Sequence, residues 1–251
     1  MADAGRGARE QLLELAELGQ GLSLLDVCTG PGWLAIDGAA VCTGGRVVGI
    51  DLSSQMVALA RSNAADADAS DVEFAVMDAQ ELEFADAMFD RVVCGLGLMH
   101  APDPRAAVAE MARVSRPSGR VALSVWAGAD ETFFGALAAA LRVGAGGRLP
   151  LDHGYVTRLG EPGVLEQLLT EAGWTQPILR RFEGFAGVVA SAEIIWAGVT
   201  AGGTTFATLV ADLSDDDRQQ VHDEFMERCE VFRQPDGLHI PAVQILATAI
   251  R

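Results

Sequence analysis

Lysine is absent from the 251 residues: all 18 basic side chains are arginines, set against 35 acidic ones for a formal charge of −17. A surface this acidic repels phosphate backbones and anionic bilayers, so neither nucleic acid nor a membrane is an expected partner. Without lysine there is also no tyrosine–lysine pair of the kind one large class of nicotinamide dehydrogenases uses. Long apolar runs are missing too, each being broken by charge or glycine well before the roughly 20 residues a bilayer span needs. The N-terminal stretch MADAGRGAREQLLELAEL is charged and amphipathic and has no signal-peptide apolar region, so a cytoplasmic location is expected. Cysteine is sparse. Cys28, Cys42, Cys94 and Cys229 form no C-x-x-C pair and read as buried, reduced thiols. Four histidines (His100, His153, His222, His239) show no ligand spacing, so no metal site is expected.

What is present is a core. Half of the chain is hydrophobic, enough for one domain spanning 1–251 without disulfides or metals. The first half alternates apolar runs with helical patterns, the signature of a parallel sheet in an α/β fold. Leu22 to Val27, Arg46 to Asp51, Val72 to Asp78, Phe89 to Gly97 and Arg120 to Ala127 read as five strands, with RPSGR (116–120) as a turn. Helices are expected from the glycine turn to Ala40, from the capping serines Ser53 and Ser54 past Arg61, and from Pro104 to about Ser115. Later come helices at Glu131 to Val143 and Glu161 to Ala172, with Gly173 as a stop. A strand candidate in ILRRFEG follows, then a mostly helical insertion from Val188 to Arg233, then a final strand in AVQILATAI.

Chemistry gathers at the strand ends. LDVCTGPGWLA puts Asp26 at the end of the first strand, with Gly30 and Gly32 in the turn before a helix. Glycines there let a ligand approach the backbone, and the helix N-terminus offers free N–H groups. Asp51 ends the second strand, where a carboxylate can accept from both hydroxyls of a ribose. Asp78 ends the third and can accept from an adenine amino group. The glycine turn alone also satisfies the dinucleotide pattern G-x-G-x-x-A. Asp26 argues against that reading: it would repel a pyrophosphate but suits the ammonium of a methionine moiety.

In order and spacing, LDVCTGPGWLA, VVGIDLSSQMVALAR, VEFAVMDAQELEF, FDRVVCGLGLMHAPDP and EMARVSRPSGRVALSVW resemble the class I S-adenosylmethionine (SAM) dependent methyltransferases. The resemblance is to the small-molecule branch that includes ubiquinone and menaquinone methyltransferases, and LGEPGVLEQLLTEAGWTQPILRRF is a weaker echo of it. It implies a Rossmann-like seven-stranded sheet with the last strand antiparallel and helices on both faces. Residues 22–127 would be the cofactor-binding core. Asp26, Thr29, Gly30 and Gly32 would line the methionine end, with the Cys28 side chain near the cofactor, and Asp51 would hold the ribose. Leu52 and Met56 would lie beside the adenine, Asp78 and Ala79 would meet its edge, and Cys94 or Gly95 would lie beneath the sulfonium. Cys28 departs from the family, which commonly has glycine or alanine there. Relatives often carry a longer leader, so cover for the pocket is expected from 128–160 and 188–238.

The expected activity is methyl transfer from SAM, leaving S-adenosylhomocysteine, to a small, largely apolar metabolite such as a quinone- or polyketide-like acceptor. His100, just after the fourth strand, is the expected general base, by position and by its near-neutral pKa. His153 and Tyr155 could reach the pocket from a glycine-flanked loop. Trp33, Trp126, Trp196, Phe206 and Phe225 could wall it. A second possibility on the same fold is a cyclase that binds SAM without consuming it and preorganises a polyene for ring closure. A third is a non-catalytic SAM-binding module. The helical insertion suits a lid or a homodimer interface equally.

Overall fold

The structure is a computed structural model that describes residues 6–128, 131–144, 156–201 and 205–251. The strands are β1 (Leu24–Val27), β2 (Val47–Asp51), β3 (Val72–Val76), β4 (Phe89–Gly95), β5 (Ser115–Trp126), β6 (Thr175–Phe182), β7 (Phe185–Val189), β8 (Arg233–Gln234), β9 (Gly237–Pro241) and β10 (Gln244–Ile250). The helices are α1 (Arg6–Leu15), α2 (Trp33–Ala39), α3 (Ser54–Asp66), α4 (Pro104–Val114), α5 (Phe133–Gly144), α6 (Val164–Glu171), α7 (Ala192–Thr200), α8 (Thr205–Ala211) and α9 (Asp215–Cys229). None of them is long and apolar enough to cross a membrane, among the described residues.

The described residues within 5–125, 162–182 and 244–251 form one compact unit. It holds a seven-stranded mixed sheet of order β3-β2-β1-β4-β5-β10-β6, with helices on both faces. The pairs β1–β2, β1–β4, β2–β3 and β4–β5 are parallel. β10 runs antiparallel to β6, as the family resemblance implies. All four residues of β1 are buried, the pattern of a strand covered on both faces. Leu12, Leu24, Leu34, Val93, Ala122 and Leu246 pack into one cluster that joins α1 and α2 to the sheet.

Local chemistry sets the helix ends. Ser53 caps α3 by accepting the Met56 N–H at 3.3 Å, and Asp103 caps α4 by accepting from Arg105 and Ala106, with Pro104 opening the helix. Gly173, at φ +87°, follows α6 in the left-handed conformation that terminates helices.

The RPSGR segment departs from the expected turn. It lies inside β5, where the register jumps from Phe89↔Ser115 to Arg91↔Arg120. The residues between are a bulge: Ser118 takes φ +64°, and a Cβ on Gly119 would stand 2.7 Å from the Arg116 carbonyl oxygen. The turn chemistry of Pro117 and Gly119 is therefore spent without ending the strand.

The second unit comprises the described residues within 126–161 and 183–243. Its helices α7, α8 and α9 match the expected insertion, but it also contains a three-stranded antiparallel sheet of order β7-β9-β8 that sequence reading did not foresee. These strands are two to five residues long and glycine-interrupted, too short to display a period of two. Leu141, Val221, Phe225, Leu238 and Ile240 form this unit's core, with Trp196 packed 5.8 Å from Phe225 between ring centroids. Phe225 and Trp196 are thus core residues of that unit. His153 and Tyr155 lie outside the described residues, as does the side chain of Phe206.

Candidate functional site

The carboxyl ends of β1, β2, β3 and β4 meet around the turn between β1 and α2, which is tied down from both sides. The Thr29 N–H donates to the Ile50 carbonyl at 2.7 Å, which locks the turn to β2. The Gly30 N–H donates to Asp51 Oδ2 at 2.9 Å, while Asp51 Oδ1 accepts the Ser53 N–H at 2.9 Å. One carboxylate therefore fixes both the glycine turn and the start of α3. Gly30 (φ +51°) and Gly32 (φ +86°) occupy the left-handed region. So does Cys28, at φ +56°, a conformation that favours glycine over a residue with a side chain.

A cavity of about 420 Å³ opens beside this turn. Cys28, Thr29, Gly30, Asp51, Leu52, Asp78, Ala79, Gly95 and His100 all line it, so nine residues singled out from sequence come together. Pro31, Met77, Leu96, Gly97, Ala101 and Pro102 complete the wall. Asp78 is held by Gln80, whose backbone N–H donates to Oδ1 at 2.8 Å. His100 ends a single 3₁₀ turn after β4, and surrounding protein lowers its pKa by desolvation, partly offset by the Asp51 charge. Desolvation thus favours the neutral imidazole, the form that accepts a proton.

A second cavity of about 170 Å³ shares the walls Cys28, Thr29, Pro31, Gly95 and Leu96 with the first. Its other walls are Ala8, Arg9 and Leu12 of α1, Trp33 and Leu34 of α2, Ser124 of β5 and Gln244 of β10. Of these, sequence reading had singled out only Trp33. Arg9 lies outside the strand–turn–helix pattern that directed attention to the site. Gln244 carried a signal, being a polar residue at the head of an otherwise apolar strand.

Four expected residues do not line either cavity: Asp26, Gly32, Met56 and Cys94. Asp26 is fully buried, and its Oδ2 accepts the Thr29 hydroxyl and the Ala35 N–H, bracing the turn against α2. Its other oxygen has no partner, and burial pushes the carboxyl up to about 7. A Cβ on Gly32 would stand 2.9 Å from that of Ala60, so this glycine serves the packing of α2 on α3. Met56 is exposed on α3. Cys94 lies fully buried against Cys28, whose thiol, together with burial, raises its pKa and keeps it protonated. No group of three or more His, Cys, Asp or Glu side chains among the described residues could hold a metal ion.

The family description "methyltransferase domain" matches residues 24–119, the span from β1 to the β5 bulge that carries most of both cavities. That match is a similarity of this segment to methyltransferase domains. The chain is 35% identical over 115 residues to a demethylmenaquinone methyltransferase of Listeria monocytogenes, covering 45% of this chain and 48% of that one. The chain spans about half the length of the curated relatives it matches. Among solved structures, the YcgJ protein of Bacillus subtilis superposes with a TM-score of 0.67 at 20% identity, covering 98% of each chain. The [4+2]-cyclase SpnF superposes with a TM-score of 0.60 at 21% identity, covering 97% of this chain and 79% of that one. Both share the fold of this chain.

Proposed function

We propose that this chain is a SAM-dependent methyltransferase that acts on a small, largely apolar metabolite, quinone- or polyketide-like in character. The observation that carries the reading is Asp51. Each of its oxygens accepts one backbone N–H and retains capacity for another donor, and the residue faces the larger cavity with Asp78. Two vicinal hydroxyls need such a pair of acceptors, so the donor set fits the ribose of SAM, and Asp78 fits the adenine amino group. When bound, SAM supplies an electrophilic methyl group on its sulfonium. The protein's part is alignment, with the turn at Cys28–Gly30 and the wall at Gly95–Gly97 holding the nucleoside while a neutral His100 accepts a proton from the acceptor.

Calorimetry with SAM, S-adenosylhomocysteine and NAD tests the reading: micromolar binding of both sulfur ligands and none of NAD is expected. Asp51→Ala should weaken that binding by about 1–3 kcal/mol, the scale of lost charged hydrogen bonds. Unchanged affinity would remove the ribose assignment.

One observation favours a second reading, a cyclase that keeps SAM as a bound structural ligand. His100 lines the cavity of Asp51 and Asp78 and is not among the residues of the smaller cavity. Ring closure of a polyene needs no proton acceptor. His100→Ala separates the two readings. Transfer of a labelled methyl group to quinone- or polyketide-type acceptors should fall by about 100-fold or more if His100 is the base. A cyclase would lose little, and S-adenosylhomocysteine would support its turnover.

A further inference from the structure

Cys28 and Cys94 stand side by side on neighbouring strands. β1 and β4 run parallel with Asp26 opposite Val93, so the same register, continued, puts Val27 beside Cys94 and Cys28 beside Gly95. Paired strands lie about 4.8 Å apart, and a residue one step along the neighbouring strand is about 6 Å away. A disulfide spans about 4.4–6.8 Å between Cα atoms, so the backbone spacing suits one. The sulfurs meet as well. A Cβ placed on Gly97 would stand 3.2 Å from Cys28 Sγ and 3.1 Å from Cys94 Sγ, and a hydrogen bond joins the two thiols. Their surroundings differ. Cys28 is half-buried and lines both cavities, whereas Cys94 is fully buried and lines neither. Contact with Cys28 and burial hold the Cys94 thiol well above the ordinary cysteine pKa, so it is not the sulfur that meets an oxidant. An accessible thiol with a second one behind it is the arrangement of a reactive cysteine and its resolving partner. Cys42 and Cys229 are each buried in a different hydrophobic cluster.

We infer that Cys28 and Cys94 form a redox modification site, which hydrogen peroxide closes to a disulfide and which weakens nucleoside binding once closed. In the first step the Cys28 sulfur takes one peroxide oxygen to become a sulfenic acid, the O–O bond breaks, and water leaves. In the second the Cys94 sulfur attacks Cys28 Sγ. The S–S bond forms, the S–O bond breaks, and the Cys94 proton departs with the hydroxyl as water. Two thiols are thereby oxidised and one peroxide is reduced to two waters. The cross-link ties Cys28 to β4 and draws its sulfur from the wall that the two cavities share. The next two residues are Thr29, whose N–H is held by Ile50, and Gly30, whose N–H is held by Asp51. Displacing residue 28 therefore disturbs the carboxylate that faces the larger cavity. The disulfide follows from the two strands alone, while its effect on binding rests on the SAM reading above.

The test treats the reduced, folded chain with hydrogen peroxide and then counts thiols after denaturation. Four free cysteines should become two, with the intact mass lower by two hydrogens and one cross-linked peptide pair that contains Cys28 and Cys94. Calorimetry should show S-adenosylhomocysteine binding about 10-fold or more weaker to the oxidised protein, the scale of one disturbed hydrogen bond to a charged group. Dithiothreitol should restore both the thiol count and the affinity. In Cys94→Ala the cross-link should be lost and dimedone should capture the sulfenic acid on Cys28. Should that variant fail to fold, Cys94→Ala gives way to Cys94→Ser for the same capture. Four thiols surviving the peroxide, a cross-link that omits either cysteine, or equal affinity of the oxidised and reduced forms would overturn the inference and leave the SAM reading in place. If the reduced protein does not bind S-adenosylhomocysteine, the SAM reading fails and the switch with it, whatever the thiol count.

Discussion

Asp26→Asn is expected to stabilise the protein at about pH 8 and to leave its stability close to the original at about pH 4. The carboxyl is fully buried and its pKa rises from 3.8 to about 7, chiefly through desolvation, against the opposing hydrogen bonds from Thr29 and Ala35. The folded protein therefore holds this proton more tightly than the unfolded chain does. Its contribution is most favourable below the unfolded pKa and is lost as the pH climbs through the folded one. At the alkaline end the loss is on the order of 2–4 kcal/mol. Asparagine offers an oxygen to the same two donors and carries no charge, so it escapes the loss. Urea unfolding of both proteins across that pH range checks the sign. An asparagine variant that is weaker by the same amount at every pH would show that ionisation of Asp26 plays no part.

Gly97→Val should lower affinity for S-adenosylhomocysteine by about 100-fold, nearly 3 kcal/mol, and reduce stability by about 1–3 kcal/mol. Backbone strain is not the cause, since Gly97 has φ −96°. The cause is contact: a Cβ at this position would stand 2.3 Å from the Cβ of Cys28 and 3.1 Å from Cys94 Sγ. Cys28 cannot retreat freely, because the next residue is locked to Ile50 through its N–H. The turn that carries Gly30 must move, and with it the N–H that Asp51 holds. Combining Gly97→Ala with Cys28→Gly should restore much of the binding, as it removes both the opposing Cβ and the left-handed strain at residue 28. Calorimetry together with thermal melts reads both quantities. Normal binding by the valine variant would mean that this wall is not part of the site.

The order of elements from β1 to α4 is legible in the sequence because each strand there is a compact apolar run and each helix opens on a capping signal. Asp51 and Asp78 were readable as site residues for the same reason: a charged residue that ends a buried strand has few places to go except the sheet's edge. Asp26 follows that rule along the chain but not in space. Every residue of β1 is buried, so no alternation reveals which way the side chain points, and it points into packing. Arg9 and Gln244 were out of reach for another reason. They belong to α1 and β10, at opposite ends of the chain, and only the insertion of β10 beside β5 brings them to one cavity. The sheet of β7, β8 and β9 was missed although Pro235-Asp236-Gly237 is a recognisable turn between β8 and β9. Two residues of β8 are too few to register as a strand.

The pairing of β6 with β10 places Phe182 opposite Gln244, so residues 183–243 leave and rejoin the sheet at adjacent points. In polymer terms this is a long excursion hung from a closed hairpin. The entropy of closing such a loop grows only with the logarithm of its length, about 0.6 kcal/mol for each doubling. The excursion can therefore lengthen, shorten or exchange its helices at small thermodynamic cost, provided that the one register at its neck is kept. Variation is inexpensive there and dear in the turn at Cys28–Gly30, where each displaced atom meets a strand.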